Sequence, residues 1–475
     1  MNTGAPPLSL DEARRRVLEI QTKLHRWAGE SGSRRFDDLF NLVTDPAFLL
    51  VAWDRVRSNT GARSAGVDGL TAHHVDVLLG ADTFLGMIRQ ALRTAEFRPL
   101  PVRERRIPKP GGRKWRRLGI PTVADRVVQA ALKLVLEPIF EADFRPYSFG
   151  FRPGRRAQDA IADIHFFTSR TYEWVLEADI EACFDSIDHT ALLTRVRRRI
   201  ADKRALLLIK AFLKAGIMTE AGQQTGSLVG TPQGGILSPL LANIALSVLD
   251  DYAHTAWQET MSTDGKRRYR RRQGLATWRL VRYADDFVIL IAGQQHHAEQ
   301  LRHEVAAVLA TIGLRFSPAK TAVVNIDEGF DFLGFRIQRH RKRGTNSRYV
   351  YTYPSRAAVN RVKDKVRALT RSSAQPDLTT LLERVNAQLH GWCNYFRFAV
   401  AKRTFSYLGA FTWRRVAYWI RKRHKGLTWK QLRRRFMGGG WTITDGQLTL
   451  SNPAAVTVTR YRRRHRIPSP WPTTA

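Results

Sequence analysis

Two adjacent carboxylates interrupt an apolar stretch of the chain. Residues 282–290 read RYADDFVIL, so Asp285 and Asp286 stand directly before the apolar run FVIL. A carboxylate removed from water costs several kcal/mol unless it is paired or bound to a metal. Two neighbouring acids beside a buried strand therefore predict a partner of positive charge. A hairpin turn with both acids facing water is the alternative, because Asp is common in turns.

The chain is strongly basic. Its 475 residues carry 78 Lys and Arg against 42 Asp and Glu, a formal net charge of +36. Such an excess indicates a polyanionic partner, with nucleic acid as the first candidate. A membrane surface is the second, but no apolar run approaches the roughly 20 residues that span a bilayer, and the N-terminus has no signal-peptide core. We therefore expect a soluble cytoplasmic protein of bacterial type, with association to the nucleoid as an open alternative.

Length and composition limit the remaining classes. A hydrophobic content of 43% fits a folded protein, and a chain of this length is expected to form two or three domains. Cys183 and Cys393 are the two cysteines, so neither a disulfide framework nor a cysteine zinc site is expected.

Periodicity and breaker residues predict the elements around the paired acids. Helices are expected over 8–60 and 73–95, followed by a basic hairpin whose short strands flank the Pro-Gly-Gly turn of RIPKPGGRKW. A helix that starts at PTVADR is expected to end near Pro138, because proline breaks helices. The charge run KRRYRRR at 266–272 is expected in a loop, and FDFLGFRI at 330–337 is expected as a strand.

A third acid, Asp179, follows the apolar strand start WVLEA, 106 residues before Asp285. If the hairpin with Asp285 and Asp286 packs beside that strand, the three acids meet at one edge of a sheet. Two Mg²⁺ ions about 3.5–4 Å apart would compensate them and clamp the entering and leaving oxygens of a phosphoryl transfer. Without metal, unit charges about 4 Å apart repel by about 4 kcal/mol at an effective dielectric near 20. The pattern therefore predicts a cation site.

The C-terminal part is basic and aromatic. Between Arg384 and Ala475 there are 19 Lys and Arg and a single acid, Asp445, and thirteen aromatic residues fall between Trp392 and Trp441. Basic residues interleaved with aromatics suit a surface that follows phosphates and stacks on bases. A basic helical domain with an aromatic core is the alternative, and we expect about two thirds of these rings in a core.

Five ordered motifs resemble those of reverse transcriptases. DIEACF, TPQGGILSP, YADD, GLRFSPAKT and FLGF follow one another in the order and spacing of that family's palm motifs. GVDG, LGIPTVADRVVQAAL, PYSFGFRPGRRAQDAI, NAQLHGWCNYF and RYRRRHRIPSPW resemble the group II intron reverse transcriptase and maturase branch, over roughly residues 35–470. The resemblance implies an α+β fold arranged as a right hand, with fingers, a palm built on an antiparallel sheet and a helical thumb, plus a small basic C-terminal domain.

The resemblance also implies roles for residues around the acids. Asp179 and Asp285 match the principal ligands of two Mg²⁺ ions, with Asp286 as the neighbouring acid and the Ile180 carbonyl as a backbone ligand. Phe184 falls at the steric gate, where a ring would crowd a 2′-hydroxyl and favour deoxynucleotides. A core phenylalanine is the alternative for Phe184.

Further positions match residues that bind the incoming nucleotide. Lys109 and Arg116 match cations that bind the triphosphate, and Arg117 is an equally plausible contact. Solvated hairpin cations without a ligand are the alternative. Gln233 matches a contact to the nucleotide or template base, and Gly234 would let backbone approach substrate closely. Lys320 matches a lysine proposed to protonate the departing pyrophosphate, and a surface lysine is the alternative. FLGF, at 332–335, resembles the primer grip, and a plain hairpin core is the alternative for its Phe and Leu.

The resemblance divides the chain into four regions. Residues 1–70 match the N-terminal extension that lies over the template, and 71–354 match the fingers and palm. Residues 355–440 look like the maturase thumb, which holds duplex and structured intron RNA. Residues 441–475 are similar to the family's small DNA-binding region. No Cys-x-x-Cys and His nuclease pattern occurs there, so we do not expect this chain to cut the second target strand.

The implied function is an RNA-directed DNA polymerase and maturase encoded by a group II intron. Its expected partners are the intron RNA, an RNA template/DNA primer duplex, target DNA and deoxynucleoside triphosphates, with no membrane. It would help the RNA splice and copy it during retrohoming, while the RNA performs the splicing chemistry. The alternatives are a splicing-only RNA-binding maturase, and a domesticated relative that serves phage defence, repair or a CRISPR locus.

Overall fold

Long helices open and close the chain, and the strands lie between them. The structure is a computed structural model that describes residues 8–108, 115–219, 224–225, 230, 234–371, 375–438, 440–465 and 467–471. Its α-helices are, in chain order, α1 (Leu10–Glu30), α2 (Phe40–Val43), α3 (Pro46–Ser58), α4 (Ala72–Leu78), α5 (Ala81–Arg93), α6 (Val123–Asp143), α7 (Ala157–Thr168), α8 (Cys183–Ser186), α9 (His189–Arg197), α10 (Lys203–Lys214), α11 (Ser238–Thr260), α12 (Asp264–Arg272), α13 (Gln295–Ala310), α14 (Arg356–Leu369), α15 (Leu378–Phe396), α16 (Lys402–Arg423) and α17 (Trp429–Phe436). Its strands are β1 (Val102–Pro108), β2 (Trp115–Ile120), β3 (Trp174–Ala178), β4 (Ile217–Met218), β5 (Gln224–Thr225), β6 (Thr277–Tyr283), β7 (Asp286–Ala292), β8 (Ala322–Asn325), β9 (Phe330–Phe332), β10 (Phe335–Arg341) and β11 (Arg348–Pro354).

One antiparallel sheet forms the centre of the chain. Its strand order is β6-β7-β3-β8, and each neighbouring pair is antiparallel. Alternate residues of a strand face opposite sides. Leu176 and Ile289 enter the core that contains α6, α9, α11 and α13, whereas Val175 and Val288 pack with α7 and the β9–β10 hairpin. Both faces are buried, which explains the uninterrupted apolar run FVIL, and the predicted α+β class is confirmed.

The predicted basic hairpin forms a second sheet. β1 and β2 pair antiparallel from Arg103↔Ile120 to Pro108↔Trp115. β1 also pairs in parallel with β4, which gives the order β2-β1-β4-β5. Helix α6 begins soon after this sheet. The hydroxyl of its N-cap residue, Thr122, accepts from the Asp125 amide at 3.0 Å.

The helix that we predicted to end near Pro138 continues through it to Asp143. Proline has no N–H, so the carbonyl four residues earlier, that of Leu134, lacks its helical donor. The buried Gln21 side chain replaces that donor, with its Nε2 2.7 Å from the Leu134 oxygen. Trp471 Nε1 in turn donates to Gln21 Oε1 at 3.2 Å. The prediction was wrong because the compensating groups come from distant parts of the chain.

The charge run at 266–272 forms a helix, α12, and not the predicted loop. The Thr263 hydroxyl caps the helix by accepting from the Lys266 amide at 3.2 Å. Asp264 in the first turn pairs with Arg268 at 2.6 Å. A cap and a single acid at the start of the helix thus offset the repulsion among its arginines.

The FLGF segment is a hairpin turn, so the single strand predicted here is wrong. Phe332 pairs with Phe335, and the two residues between them, Leu333 and Gly334, have φ of +49° and +82°. Positive φ at both central residues fits a two-residue hairpin loop. The Tyr395 hydroxyl of α15 donates to the Leu333 carbonyl at 2.9 Å, which ties this hairpin to the C-terminal helices.

A buried ion pair lies beneath the turn that carries the paired acids. Arg282 on β6 and Asp250 on α11 both have fully buried side chains. Arg282 Nε donates to Asp250 Oδ1 at 2.9 Å, and Arg282 Nη2 donates to the other carboxylate oxygen. Arg282 Nη1 donates to Asn243 Oδ1 and to the Ala284 carbonyl, each at 2.9 Å. One guanidinium therefore joins the helix, the strand and the turn.

The same network holds the loop before α7 against the turn. Asn243 Nδ2 donates to the Gly150 carbonyl at 2.8 Å. A Cβ atom at Gly150 would lie 2.2 Å from the Ala284 nitrogen, so only glycine permits this approach. The buried Arg152 fixes the other end of the loop through Glu141 and the carbonyls of residues 145 and 148.

Helices α14–α17 surround a core that is separate from the palm. Its buried residues are Leu381, Leu382, Val385, Leu389, Val416, Ala417, Trp419, Ile420, Leu432, Met437, Ile443 and Leu450. Of the thirteen aromatic residues between Trp392 and Trp441, three are buried and four are exposed. The aromatic core in this region is thus smaller than we expected. No helix in the described ranges is both long and apolar enough to cross a bilayer.

The residues after 441 lie on neighbouring cores. Early apolar side chains of this tail join the α14–α17 core, and later ones join the core beside α7. Arg463 pairs with Asp163 of α7, and Arg464 pairs with Asp159 of the same helix. Trp471 is buried and reaches α1. Two arginines of the basic tail are therefore engaged within the protein.

We predict that Arg282→Met lowers the free energy of unfolding by about 3–5 kcal/mol, because Asp250 would remain buried and unpaired. The double variant Arg282→Met/Asp250→Leu should recover part of this loss, since it removes both charges. Urea unfolding followed by circular dichroism measures the effect. Arg26→Met, which breaks an exposed pair with Glu30, is the matched control and should cost about 0–1 kcal/mol. Equal effects of the buried and exposed substitutions would contradict the prediction.

Candidate active site

The register of the palm sheet brings the three predicted acids to one edge. Ala178 is paired with Phe287, the last pair between β3 and β7. Asp179 follows Ala178 directly, Asp286 directly precedes Phe287, and Asp285 lies in the turn between β6 and β7. Opposed residues in antiparallel strands have Cα atoms about 4.5–5.5 Å apart. Acids separated by more than a hundred residues of sequence therefore become neighbours.

The turn that carries Asp285 is held in an uncommon conformation. Ala284 has a φ of +59°, which non-glycine residues seldom adopt. Its carbonyl accepts from buried Arg282, and Gly150 packs against its nitrogen. Such a conformation persists where the surroundings overdetermine it. The turn is thus fixed from two sides, and the acids project from it.

The acids disturb one another electrostatically. Burial raises the pKa of Asp285, and the charge of Asp179 raises it further, whereas the cation of Arg116 lowers it. Burial and the charges of Asp285 and Asp179 raise the pKa of Asp286 to about 6. Crowded carboxylates with raised pKa values are typical of sites that accept a cation.

Lys320 is the nearest compensating cation. Its Nζ lies 2.9 Å from Asp179 Oδ2, in a pair whose side chains are 65% and 31% exposed, respectively. The loop that carries Lys320 is attached to the end of β3, because the Ser317 amide donates to the Asp179 carbonyl at 2.8 Å. The predicted lysine is therefore beside the predicted aspartate.

The donor chemistry fits Mg²⁺, which prefers hard carboxylate and carbonyl oxygens. Around Ile180, the Glu181 amide and the Asp179 carbonyl bond to the segment at 315–317. The Ile180 carbonyl itself then faces the other side of the strand, toward β7. Among the described residues, no three His, Cys, Asp or Glu side chains already stand in metal-binding geometry.

Phe184 lies in the short helix α8, close to the end of β3. Its half-buried ring meets the ring of Phe151 edge-on, with centroids 6.4 Å apart and an interplanar angle of 71°. Phe151 is 48% exposed and has a φ of +57°. Two aromatic rings therefore stand together, and the sequence indicated only one of them.

The two arginines of the finger hairpin have different surroundings. Neighbouring residues of a strand point to opposite faces. Arg117 Nε donates to Glu104 Oε1 at 2.7 Å, and the Glu104 side chain is almost fully buried. The charge of Arg116, in contrast, acts on both Asp285 and Asp286. The contrast between these two neighbours favours Arg116 as the hairpin cation that faces the acids.

Of three further predicted nucleotide contacts, Gly234 lies within the described residues. Lys109 and Gln233 lie outside the described residues. Gly234 has a φ of +116°, and a Cβ atom there would lie 2.5 Å from the Gly119 oxygen of β2. Gly234 therefore brings the start of α11 against the finger hairpin by backbone contact.

Sequence reasoning missed the residues that hold the acids. The missed residues are Arg282, Asp250 and Asn243. Their hydrogen bonds stabilise the turn that carries the acids, and the sequence analysis gave none of them a role. A signal was present, because Asn243 and Asp250 are seven residues apart in the apolar helix α11 and so share one face. Two polar residues on one face of a buried helix require a polar partner.

Two family models match this chain. A family model described as "Reverse transcriptase (RNA-dependent DNA polymerase)" matches residues 107–337. A second, described as "Group II intron, maturase-specific domain", matches residues 359–437. Members of the first family generally use divalent metals, and the two matches together imply nucleic-acid substrates, intron RNA among them.

Individual proteins are similar over most of the chain. Protein YkfC of Escherichia coli is 36% identical over 365 residues, covering 72% of this chain and 94% of YkfC. Group II intron-encoded protein LtrA of Lactococcus lactis is 31% identical over 378 residues, covering 70% of this chain and 61% of LtrA. A telomerase structure from Candida albicans, with a fragment of telomeric RNA, is 14% identical at a TM-score of 0.38 and covers 68% of this chain and 59% of that one. That last likeness is too distant to bear on function. The two family matches and the identity with YkfC and LtrA show that the chain belongs to the family of group II intron-encoded reverse transcriptases and maturases.

Proposed function

We propose that this chain copies a group II intron RNA into DNA and also binds that RNA to assist splicing. The observation that carries the proposal is the meeting of Asp179, Asp285 and Asp286 at the edge of the palm sheet. The chain covers about three fifths of LtrA, 61% of its length. Retrohoming, target DNA binding and a cytoplasmic location remain predictions.

The proposed chemistry is nucleotidyl transfer with two Mg²⁺ ions. Bound there, the ions would supply charge stabilisation and activate the primer 3′-hydroxyl. Asp179 and Asp285 would hold both ions, with Asp286 and the Ile180 carbonyl as further oxygen donors. The raised pKa values of Asp285 and Asp286 support this assignment.

Cations around the acids would bind the triphosphate and protonate the departing pyrophosphate. Arg116 would offset charge on the β and γ phosphates, together with Lys109. Arg117 pairs with Glu104 and would act on nucleotide binding by stabilising the hairpin that carries Arg116. Lys320, released from Asp179 when the acids bind cations, would carry the proton for the departing pyrophosphate. Its present ion pair supports this role by fixing the ammonium at the site.

The remaining site residues would select the nucleotide. Phe184 would crowd a 2′-hydroxyl and favour deoxynucleotides, and its contact with Phe151 supports this by fixing the ring's approach. Gln233 would contact the nucleotide or template base, and Gly234 would keep backbone close to the substrate.

We assign the four predicted regions on the basis of their packing. Residues 1–70 would form the N-terminal extension, 71–354 the fingers and palm, 355–440 the maturase thumb, and 441–475 the DNA-binding region. The separate core of α14–α17 supports the thumb assignment. The ion pairs of Arg463 and Arg464 with α7 leave fewer tail cations for DNA.

A splicing-only maturase is the second candidate. The three intact acids and their buried support argue against it, because a vestigial site has no need of either. A domesticated role in defence, repair or a CRISPR locus is the third candidate. DNA that flanks the gene would contain a catalytic intron domain if the intron role is right.

We expect Asp285→Ala to abolish DNA synthesis while it leaves intron RNA affinity nearly unchanged. The substitution removes a cation ligand but lies far from the maturase thumb in sequence. Primer extension with Mg²⁺ and filter binding with intron RNA measure the two activities. Asp76→Ala, at an exposed acid of α4, is the control and should retain both. Equal loss of both activities in a folded Asp285→Ala protein would refute the separation.

Primer extension should fall as the pH decreases through about 6, the pKa of Asp286. Below this pH the carboxyl is protonated and neutral, so it no longer attracts Mg²⁺. Because the proton and the metal compete, a higher Mg²⁺ concentration should move the fall to lower pH. Rates measured on both sides of pH 6 at two Mg²⁺ concentrations test this. A midpoint that does not move with Mg²⁺ would exclude the competition.

The double variant Arg282→Met/Asp250→Leu should fold yet polymerise about 100-fold more slowly, the scale expected for a displacement near 1 Å. The Ala284 carbonyl would still lack its buried donor, so the turn with Asp285 would shift. We expect kcat to fall while KM for the nucleotide changes little. Full activity in the folded double variant would show that the network does not position the turn.

A further inference from the structure

Three exposed aromatic rings lie together on the last thumb helices. Tyr418 of α16 is 56% exposed, Trp429 at the start of α17 is 43% exposed, and Trp441 is 64% exposed. Half-buried Trp413 contacts two of them, and we call these four residues the aromatic cluster. Large apolar rings grouped in water indicate a binding surface.

The aromatic cluster is assembled before any partner arrives. Trp413 and Trp429 are nearly parallel, at 8°, with ring centroids 6.2 Å apart. Trp441 lies 5.8 Å from Trp413, and Tyr418 meets Trp429 edge-on at 6.3 Å. Trp413 Nε1 donates to the Trp441 carbonyl at 2.7 Å, which attaches the loop with Trp441 to α16. A preorganised surface lowers the ordering cost of binding.

Basic residues are dense in the segment that joins the members of the aromatic cluster. Residues 414–440 include ten Lys and Arg and no Asp or Glu. The Arg421 guanidinium lies 4.8 Å above the ring of Trp429, and that of Arg433 lies 5.3 Å above the ring of Trp441. A partner must therefore be anionic and must also present flat apolar faces. Unpaired nucleotides combine both properties.

We propose that the aromatic cluster binds unpaired bases of RNA, which stack on Trp429 and Trp441 while neighbouring arginines contact the phosphates. This proposal rests on the proposed maturase function and names the part of the RNA that the thumb would recognise. Paired bases are excluded, because in a duplex their faces stack on one another and only edges and backbone remain accessible. An RNA loop or single-stranded junction is therefore the expected ligand.

The test compares one oligoribonucleotide of unstructured sequence with the same strand annealed to its complement. Fluorescence anisotropy measures the affinity for each RNA. The measurement is made at elevated salt, because salt weakens the contribution of phosphate contacts. Trp441→Ala and Trp429→Ala should each weaken binding of the single strand about 5- to 150-fold, the range for loss of one base stack. Binding of the duplex should change much less. Trp441→Phe, which keeps a ring, should restore most of the affinity.

Tyr269→Ala is the matched control. Tyr269 is as exposed as Trp441, at 64%, and lies within the arginine run of α12. Removal of the Tyr269 ring should leave the affinity for single-stranded RNA unchanged. That result would show that an exposed ring among arginines does not by itself bind single-stranded RNA. Circular dichroism checks folding, and if Trp429→Ala does not fold, the exposed Trp441 substitutions decide the question.

Three results would overturn the proposal. Unchanged single-strand affinity in the folded Trp variants would assign the rings to another partner. Equal losses for single strand and duplex would show a general phosphate surface. Equal losses for single-stranded DNA of the same sequence would remove the assignment to RNA. Failure of the proposed function is a separate outcome, because it would appear in the wild-type protein as no primer extension with Mg²⁺.

Discussion

The fully buried pair between Arg282 and Asp250 is the interaction on which the active-site geometry depends. A charge of this kind in the interior is tolerated only when nearly all its hydrogen bonds are made. Arg282 meets that condition by joining α11, β6 and the Ala284 carbonyl. The acid-bearing turn is therefore stabilised by the same bonds that prevent a buried charge from being left unpaired. The left-handed backbone of Ala284 and the close approach of Gly150 follow from this arrangement.

Charge is distributed unevenly over the molecule, and the distribution follows function. Asp179, Asp285 and Asp286 are close together at the palm edge, and their mutual repulsion favours the binding of cations. Arg463 and Arg464 of the tail pair with acids of α7, whereas Arg421 of α16 and Arg433 of α17 lie over exposed aromatic rings. A net charge of +36 alone would predict uniform attraction to nucleic acid. The structure instead indicates a few surfaces of distinct chemistry.

The parts that sequence predicted well are those whose signals are local. The palm strands, the basic hairpin and the long helix α11 follow from apolar runs and breaker residues, whereas the roles of the three acids stay a prediction that rests on ordered motifs. Pro138 misled the prediction because its compensation comes from Gln21, more than a hundred residues away in sequence. The α12 arginines misled it because Thr263 and Asp264 offset their repulsion. The support of the acids was missed because Arg282, Asp250 and Asn243 become one network only after folding.

The contact between Trp471 and Gln21 has a consequence for biosynthesis. Gln21 and Leu134 are both made early, so α1 and α6 can associate while the ribosome is still translating the palm. Trp471 can join them only after the 450 residues that separate it from Gln21 have been made, since contacts between such distant positions form late. A newly made molecule thus passes through a stage at which α1 and α6 are packed together but Trp471 has not yet reached Gln21. Nascent chains at that stage would present the Gln21 side of α1 to proteases and chaperones.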